Sequence, residues 1–131
     1  MSLAVYNAMN ATKICSSALA LALNFVATLS TDTPAQGENV TTTFDFDLDV
    51  PIPSGTAYYS ATLNGLGPFT SQAPLCDETA KSGDPCPLLP GHHHQESTTE
   101  NTVTGKVVTH ITWIDTDGAE ILCVDLTTKS T

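Results

Sequence analysis

The chain has 131 residues, of which 40% are hydrophobic and 14% charged, enough apolar material for a single domain with a real core and no sign of a second. Four lysines, no arginine and fourteen acids leave a formal charge of −10, which repels phosphate backbones and excludes nucleic acid as a partner. Abundant Thr and Ser, with Gly and Pro scattered throughout, point to an all-β globular protein and away from a disordered one.

Met1-Ser2-Leu3 reads as an expression remnant, so residues 1–131 are taken as one domain, and Asn10 opens an Asn-x-Thr sequon. After Cys15 comes SSALALALNFVATLS, which resembles the apolar part of a signal peptide and whose Ala and Leu suit a helix. Alternation favours a strand instead: Leu19, Leu21, Leu23, Phe25, Ala27 and Leu29 fall on one side, with Ala18, Ala20, Ala22, Asn24, Val26 and Thr28 on the other. A natural signal peptide is therefore expected to be already absent, and no run approaches the roughly 20 apolar residues of a membrane helix.

Thr33-Pro34-Ala35-Gln36-Gly37 breaks the chain, and a strand resumes from Asn39, itself in a second sequon, to Val50. Within it, FDFDLDV puts Phe44, Phe46, Leu48 and Val50 on one face and Asp45, Asp47 and Asp49 on the other. The aspartates are read as the wet side of a half-buried strand, because the Gly turn and distal Glu of a calcium loop are missing.

Pro51-Ile52-Pro53-Ser54-Gly55 forces the next break, since proline cannot donate to a ladder. The strand Thr56 to Leu63 follows, with Ala57, Tyr59, Ala61 and Leu63 opposite Tyr58, Ser60 and Thr62. Asn64-Gly65 and Gly67-Pro68 then mark a loop that carries Leu66 and Phe69.

Residues 70–102 show little apolar alternation and are expected to form a long surface excursion with at most one short edge strand. A disulfide across Cys76 and Cys86 would stabilise this excursion by about 2–3 kcal/mol in the loop-entropy picture. The run His92-His93-His94 reads as a solvated loop; a zinc site shared with Cys76 and Cys86 is disfavoured because the short C-x-x-C pairs of such sites are absent. Lys106 to Asp115 and Glu120 to Thr127 form the last hairpin around Thr116-Asp117-Gly118. In its second strand Leu122, Val124 and Leu126 form the more apolar side and Cys123 faces the other way.

No G-x-S-x-G elbow, P-loop or H-E-x-x-H motif occurs, and His110 has no evident Ser or Cys nucleophile beside it. Asp45 and Asp47, projecting into water, are expected to keep ordinary acidities and to make poor general acids. A non-enzymatic protein without cofactor or metal is the reading.

The order and spacing of several segments resemble the ML (lipid-recognition) superfamily, the group that includes the Niemann-Pick type C sterol-transfer protein, mite group 2 allergens and fungal phospholipid-transfer proteins. The segments are Cys15-Ser16-Ser17, Asn39 to Phe44, Pro68-Phe69 ahead of Cys76, Cys86-Pro87-Leu88 with Gly91, Ile111-Thr112-Trp113, and Ile121-Leu122-Cys123-Val124. The resemblance implies an immunoglobulin-like β-sandwich of two antiparallel sheets enclosing an apolar cavity, with disulfides Cys15–Cys123 and Cys76–Cys86. The chain departs from the sterol-transfer pattern in two places. It lacks an extra cysteine pair between the first two long strands, and it has Val103-Thr104-Gly105 where that pattern has an aromatic residue.

A lipid site needs apolar wall and a few polar groups at its entrance. The candidate walls are Phe44, Phe46, Leu48 and Val50 on one strand, with Tyr59 and Leu63, Ile111 and Trp113, and Leu122 and Val124 from three others. Leu66 and Phe69 are the entrance candidates, being large apolar groups in a Gly/Pro loop. The expected ligand is a sterol, fatty acid or phospholipid tail, with transient contact to a membrane or membrane protein, in a secreted or endolysosomal setting. A secreted adhesion module of the same fold is the alternative.

Overall fold

The computed structural model describes residues 11–130, so Met1-Ser2-Leu3 and the Asn10 sequon lie outside the described residues. In chain order the elements are β1 (Thr12–Ile14), β2 (Leu23–Leu29), β3 (Asn39–Leu48), β4 (Gly55–Leu63), β5 (Leu66–Pro74), α1 (Leu75–Lys81), β6 (Gly91–Glu100), β7 (Gly105–Asp115) and β8 (Glu120–Ser130). They form one five-stranded sheet in the order β1-β8-β7-β4-β5 and one three-stranded sheet in the order β2-β3-β6, with antiparallel pairing throughout. This is the two-sheet, immunoglobulin-like sandwich that the resemblance implied.

The core follows from strand alternation. Trp113 on β7 is paired with Ala57 on β4 and Leu122 on β8, so its indole lies at the centre of the larger sheet's inner face. Phe44 and Phe46 of β3 approach it edge-on, at ring-centroid distances of 5.6 and 6.1 Å, and Phe25 of β2 packs on the same two rings. Phe46, Ile52, Leu75, Leu88, Ile121, Leu122 and Val124 are fully buried around this aromatic cluster. Cys15, just after β1, is bridged to Cys123 on β8, and Cys76 in α1 is bridged to Cys86.

Four expectations are corrected. The strand read from Ala18 to Leu29 begins only at Leu23, and a register shift between Leu23 and Val26, with Asn24 at φ 55°, flips which residues point inward. Leu23 ahead of it is exposed, while Phe25, Ala27 and Leu29 after it pack inward; before the strand, Ala20 and Ala22 are buried, Leu21 packs on the core and Leu19 is exposed. A bulge adds one residue, and one residue is a change of face.

The strand carrying the aspartates ends at Leu48, so Val50 lies in a bend, exposed, beyond the face it was expected to share.

Leu66 and Phe69 sit on a strand, not in a loop. Asn64 and Gly65 both have positive φ, 52° and 80°, which makes the tight reversal of a hairpin, and β5 then pairs along β4. Pro68 is tolerated because β5 is a sheet edge and Pro68 falls in the register shift between Ala61 and Leu63, where it has no paired residue on β4.

The excursion expected over residues 70–102 is mostly regular structure: the end of β5, the helix α1 and the ten-residue strand β6, which pairs with β3 from Asn39↔Glu100 to Leu48↔Gly91. The histidines are therefore strand residues. The sequence GHHHQESTTE hides this strand because even its inward positions are polar.

Candidate functional site

The inner faces of both sheets can be followed from the tryptophan outward. On β3 the inward series Leu48, Phe46, Phe44 continues as Thr42 and Val40; on β7 Trp113 and Ile111 are followed by Thr109 and Val107. On β8 Leu122, Val124 and Leu126 give way to Thr128, and on β6 His93 and Gln95 give way to Ser97 and Thr99. Side chains shrink in this direction, and the sheets no longer fill the space between them.

Two chambers result. The first, of about 290 Å³, has Phe44, Ile111, Trp113 and Leu126 as its apolar walls, with Tyr59 and Gln95 beside them and Glu78, Lys81 and Ser82 contributed from the helix side. The second, of about 350 Å³, runs on between Leu29, Val40, Val103 and Val107 to the loop at Asn101 and Thr102. Thr42, Tyr59, Thr99, Ile111 and Leu126 border both, so the two chambers adjoin one another between the sheets. Each lies near the lower end of ligand-pocket volumes, about 300–1,000 Å³.

Of the wall candidates, Phe44, Tyr59, Ile111 and Trp113 line these chambers. Phe46, Leu48, Leu122 and Val124 are packed into the closed part of the core and border neither chamber. Leu63 is paired with Val107, which lines the second chamber, but itself lies off the wall. Leu66 and Phe69 are about two-thirds exposed, and Phe69 is paired with Ala61, which is paired in turn with Thr109 of the channel wall. They thus stand on the cavity side of the larger sheet, on an edge strand that lends no residue to either chamber. Leu126, Thr42, Gln95 and Thr99 were missed. Leu126 and Thr42 carried a usable signal, since they continue the alternation of Leu122 and Phe44; Gln95 and Thr99 lie on the strand that polar composition concealed.

Buried polar contacts hold this wall in place. Asp84 Oδ2 accepts hydrogen bonds from Gln95 Nε2 at 2.8 Å and lies 2.7 Å from His93 Nδ1, while His93 Nε2 lies 2.6 Å from the Leu89 carbonyl. His93 also stacks on Phe46, with centroids 5.2 Å apart. The loop after α1 is thereby clasped to β6. Across the channel the Tyr59 hydroxyl donates to Glu78, whose other carboxylate oxygen meets Lys81 Nζ at 3.3 Å. Burial, with the Glu78 carboxylate beside it, pushes the Tyr59 phenol above its ordinary range. Trp113 Nε1 is the buried side-chain polar atom left without a partner among the described residues.

A profile of the ML domain matches residues 10–130. The chain belongs to the ML-domain family. Among solved structures it is similar to a Niemann-Pick type C2 protein from Japanese carpenter ant, with 13% identity, a TM-score of 0.64, and coverage of 91% of this chain and 98% of that one. It is similar also to chicken MD-1, solved in complex with lipid IVa, at 15% identity and a TM-score of 0.63, over 90% of this chain and 86% of that one. At these identities the likeness is one of fold. No curated protein sequence gives a significant match.

The outer face of this ML domain's smaller sheet carries a second polar constellation. Asp47 accepts from Asn24 Nδ2 at 3.0 Å and from His92 Nδ1 at 2.8 Å; His92 Nε2 lies 3.3 Å from Asp45, and His94 spans Asp45 at 2.7 Å and Glu96 at 3.2 Å. A histidine offers two donors only when protonated, so the cross-strand geometry favours the charged rings. Accordingly the hydrogen bonds from Asn24 and His92 hold the Asp47 carboxyl below its ordinary range, in contrast to the unperturbed acidity expected of it. The hydrogen bonds to Asp47 and Asp45 raise His92 and His94 above theirs. Asp49 lies past the strand, exposed.

His110 on the larger sheet does have cysteine beside it. Its Nε2 is 3.6 Å from Cys123 Sγ and its Nδ1 2.6 Å from Asp125, but the sulfur is committed to the bridge with Cys15, so neither a free nucleophile nor a thiolate metal ligand is present there. Cys76 and Cys86 are likewise bridged. No helix among the described residues is long and apolar enough to cross a membrane.

Proposed function

We propose that this ML domain binds a lipid between its sheets without transforming it, and passes the lipid through the side of the first chamber bordered by α1. The observation that carries the reading is the pair of adjoining chambers bordered by Phe44, Tyr59, Ile111, Trp113 and Leu126, at the end of the sandwich where side chains leave the sheets apart. Burying a few hundred Å² of hydrocarbon at about 25 cal/mol per Å² supplies several kcal/mol before the freedom lost on binding is subtracted. No charged contact is needed for useful affinity.

The exposed pair Leu66 and Phe69 supports the direction of transfer, because it extends the cavity side of the larger sheet out to its edge. Large apolar groups at that edge offer a lip against which a membrane or another lipid carrier can dock. Two disulfides and the exposed sequon at Asn39 favour a secreted or endolysosomal setting, where Asn39 would be glycosylated. The acidic balance favours a neutral, zwitterionic or singly charged ligand.

The test is direct. Protein purified from a lipid-containing host is extracted with organic solvent and the extract read by mass spectrometry, and delipidated protein is titrated with a fluorescent fatty acid and a fluorescent sterol. A stoichiometric lipid, or saturable uptake of either probe, is expected. A chain that carries no lipid and takes up neither probe would instead be an adhesion module on the same fold.

A further inference from the structure

We infer that the lipid held here carries a hydroxyl, or a similar hydrogen-bonding group, along the part that lies between the sheets, so that an unbroken hydrocarbon tail is the poorer ligand. This rests on the lipid-binding reading and adds to it the chemical class of the ligand.

The argument starts from which residues replace the aromatic and aliphatic groups as the channel opens. Thr42, Ser97 and Thr99 come from the smaller sheet, Thr109 and Thr128 from the larger, and all five border the chambers. Thr42 and Ser97 are directly paired across β3 and β6. Hydroxyls from two sheets thus face one space between the sheets, where Thr42, Thr109 and Thr128 are half-buried and Ser97 and Thr99 more exposed. The side-chain hydrogen bonds of this region run elsewhere: Thr41 meets Thr98 at 2.8 Å on the outer face, and Asn101 Nδ2 donates to Ser130 at 3.0 Å and to the Ala35 carbonyl at 3.2 Å.

Strand preference alone does not ask for threonine at these positions. Valine has the same branched shape and the same liking for a pleated strand, and differs in lacking the hydroxyl. The channel also has valines, at Val40, Val103 and Val107, so both solutions occur side by side. A plain alkyl chain lying against Thr42, Thr99 and Thr109 would displace their water and return no hydrogen bond. A chain with a hydroxyl at that depth, able both to donate and to accept, replaces the water it removes. The aromatic end, at Phe44 and Trp113, takes the uninterrupted apolar part.

The probes are stearate and a series of hydroxystearates with the hydroxyl at successive positions along the chain, each displacing a fluorescent fatty acid from the 131-residue protein. At least one hydroxystearate is expected to bind about three- to tenfold tighter than stearate, the worth of one net hydrogen bond. In Thr42→Val/Thr109→Val the ratio of hydroxystearate to stearate affinity should shrink to near unity, with melting behaviour recorded alongside. Thr99→Val alone serves as a second variant should the double one fail to fold. Stearate binding as tightly as every hydroxystearate, or a preference that survives loss of the hydroxyls, would overturn the inference and leave the lipid-binding reading standing. Binding of none of them would remove both.

Discussion

The two ends of the sandwich are built from the same strands and do opposite things. On one side of Trp113 the inward residues are Phe46, Leu48, Ala57 and Leu122, which pack together and border neither chamber. A few residues further along, the inward residues are Thr42, Thr99, Thr109 and Thr128, and the sheets stay apart. Alternation is equally regular in both, so pattern does not separate core from cavity. Volume and polarity do: large rings fill the gap at one end, while small hydroxylated side chains neither fill it nor gain from being sealed off.

The sharpest way to test that contrast is on a single strand. Phe46→Ala, at the closed end of β3, is expected to cost about 3–5 kcal/mol in urea unfolding, because a fully buried ring is removed from a close-packed site. Thr42→Ala, two inward positions away, should stay within about 0.5 kcal/mol. Similar costs at the two positions would mean that the open end is as tightly packed as the closed one.

A smaller effect is expected at the clasp that joins the regions. Asp84→Ala removes the acceptor shared by His93 and Gln95 and should cost about 2 kcal/mol, since both partners are nearly buried and lose a charged acceptor. Hydrogen exchange should quicken along β6 more than along β7.

Phe69→Asp should leave unfolding almost unchanged, the side chain being largely exposed, yet slow the uptake of a fluorescent fatty acid from vesicles. Unchanged uptake would remove the β5 edge from the route. Asp47→Asn, on the outer face, is expected to leave lipid binding intact.

The smallest effect is a pH dependence that belongs to neither end. His92 and His94 are raised by their carboxylate partners, so what they add to stability is fully present below the ordinary histidine range, about pH 6.5, and is lost as pH rises through their folded-state values. Asp47 is lowered, so its contribution is present above the ordinary aspartate range, about pH 4, and is lost as pH falls through its folded-state value. Melting temperature should therefore peak between those limits, and the decline above pH 6.5 should flatten in His92→Gln/His94→Gln. All three groups are exposed, so added salt should weaken the effect. Calcium that raised the melting temperature of the wild type but not of Asp47→Asn would give the aspartate face a cation-binding role.

Much of the sandwich can be read from residues near one another in the chain. The alternation of FDFDL, the Asp-Gly reversal before β8 and the prolines after Leu48 place β3, β4, β7 and β8 within a few residues of where they lie, because strand period and turn chemistry are local properties. The site was partly legible for the same reason: Phe44, Tyr59, Ile111 and Trp113 were readable as inward positions. What pattern could not separate was Phe44, which borders the channel, from Phe46, which is buried beyond it.

Taken alone, then, the sequence determined which faces of four strands are apolar, where the chain reverses, and that an acidic, four-cysteine chain forms a β-sandwich. Only the tertiary structure decided that β6 is a strand, because its inward His93 and Gln95 are made tolerable by Asp84, a partner outside the strand. It also decided that β5 could hold a proline, since only sheet order shows β5 to be an edge. The cavity belongs to this second class: an unfilled volume is the difference between the spacing of two sheets and the side chains from both, and no single segment encodes a difference.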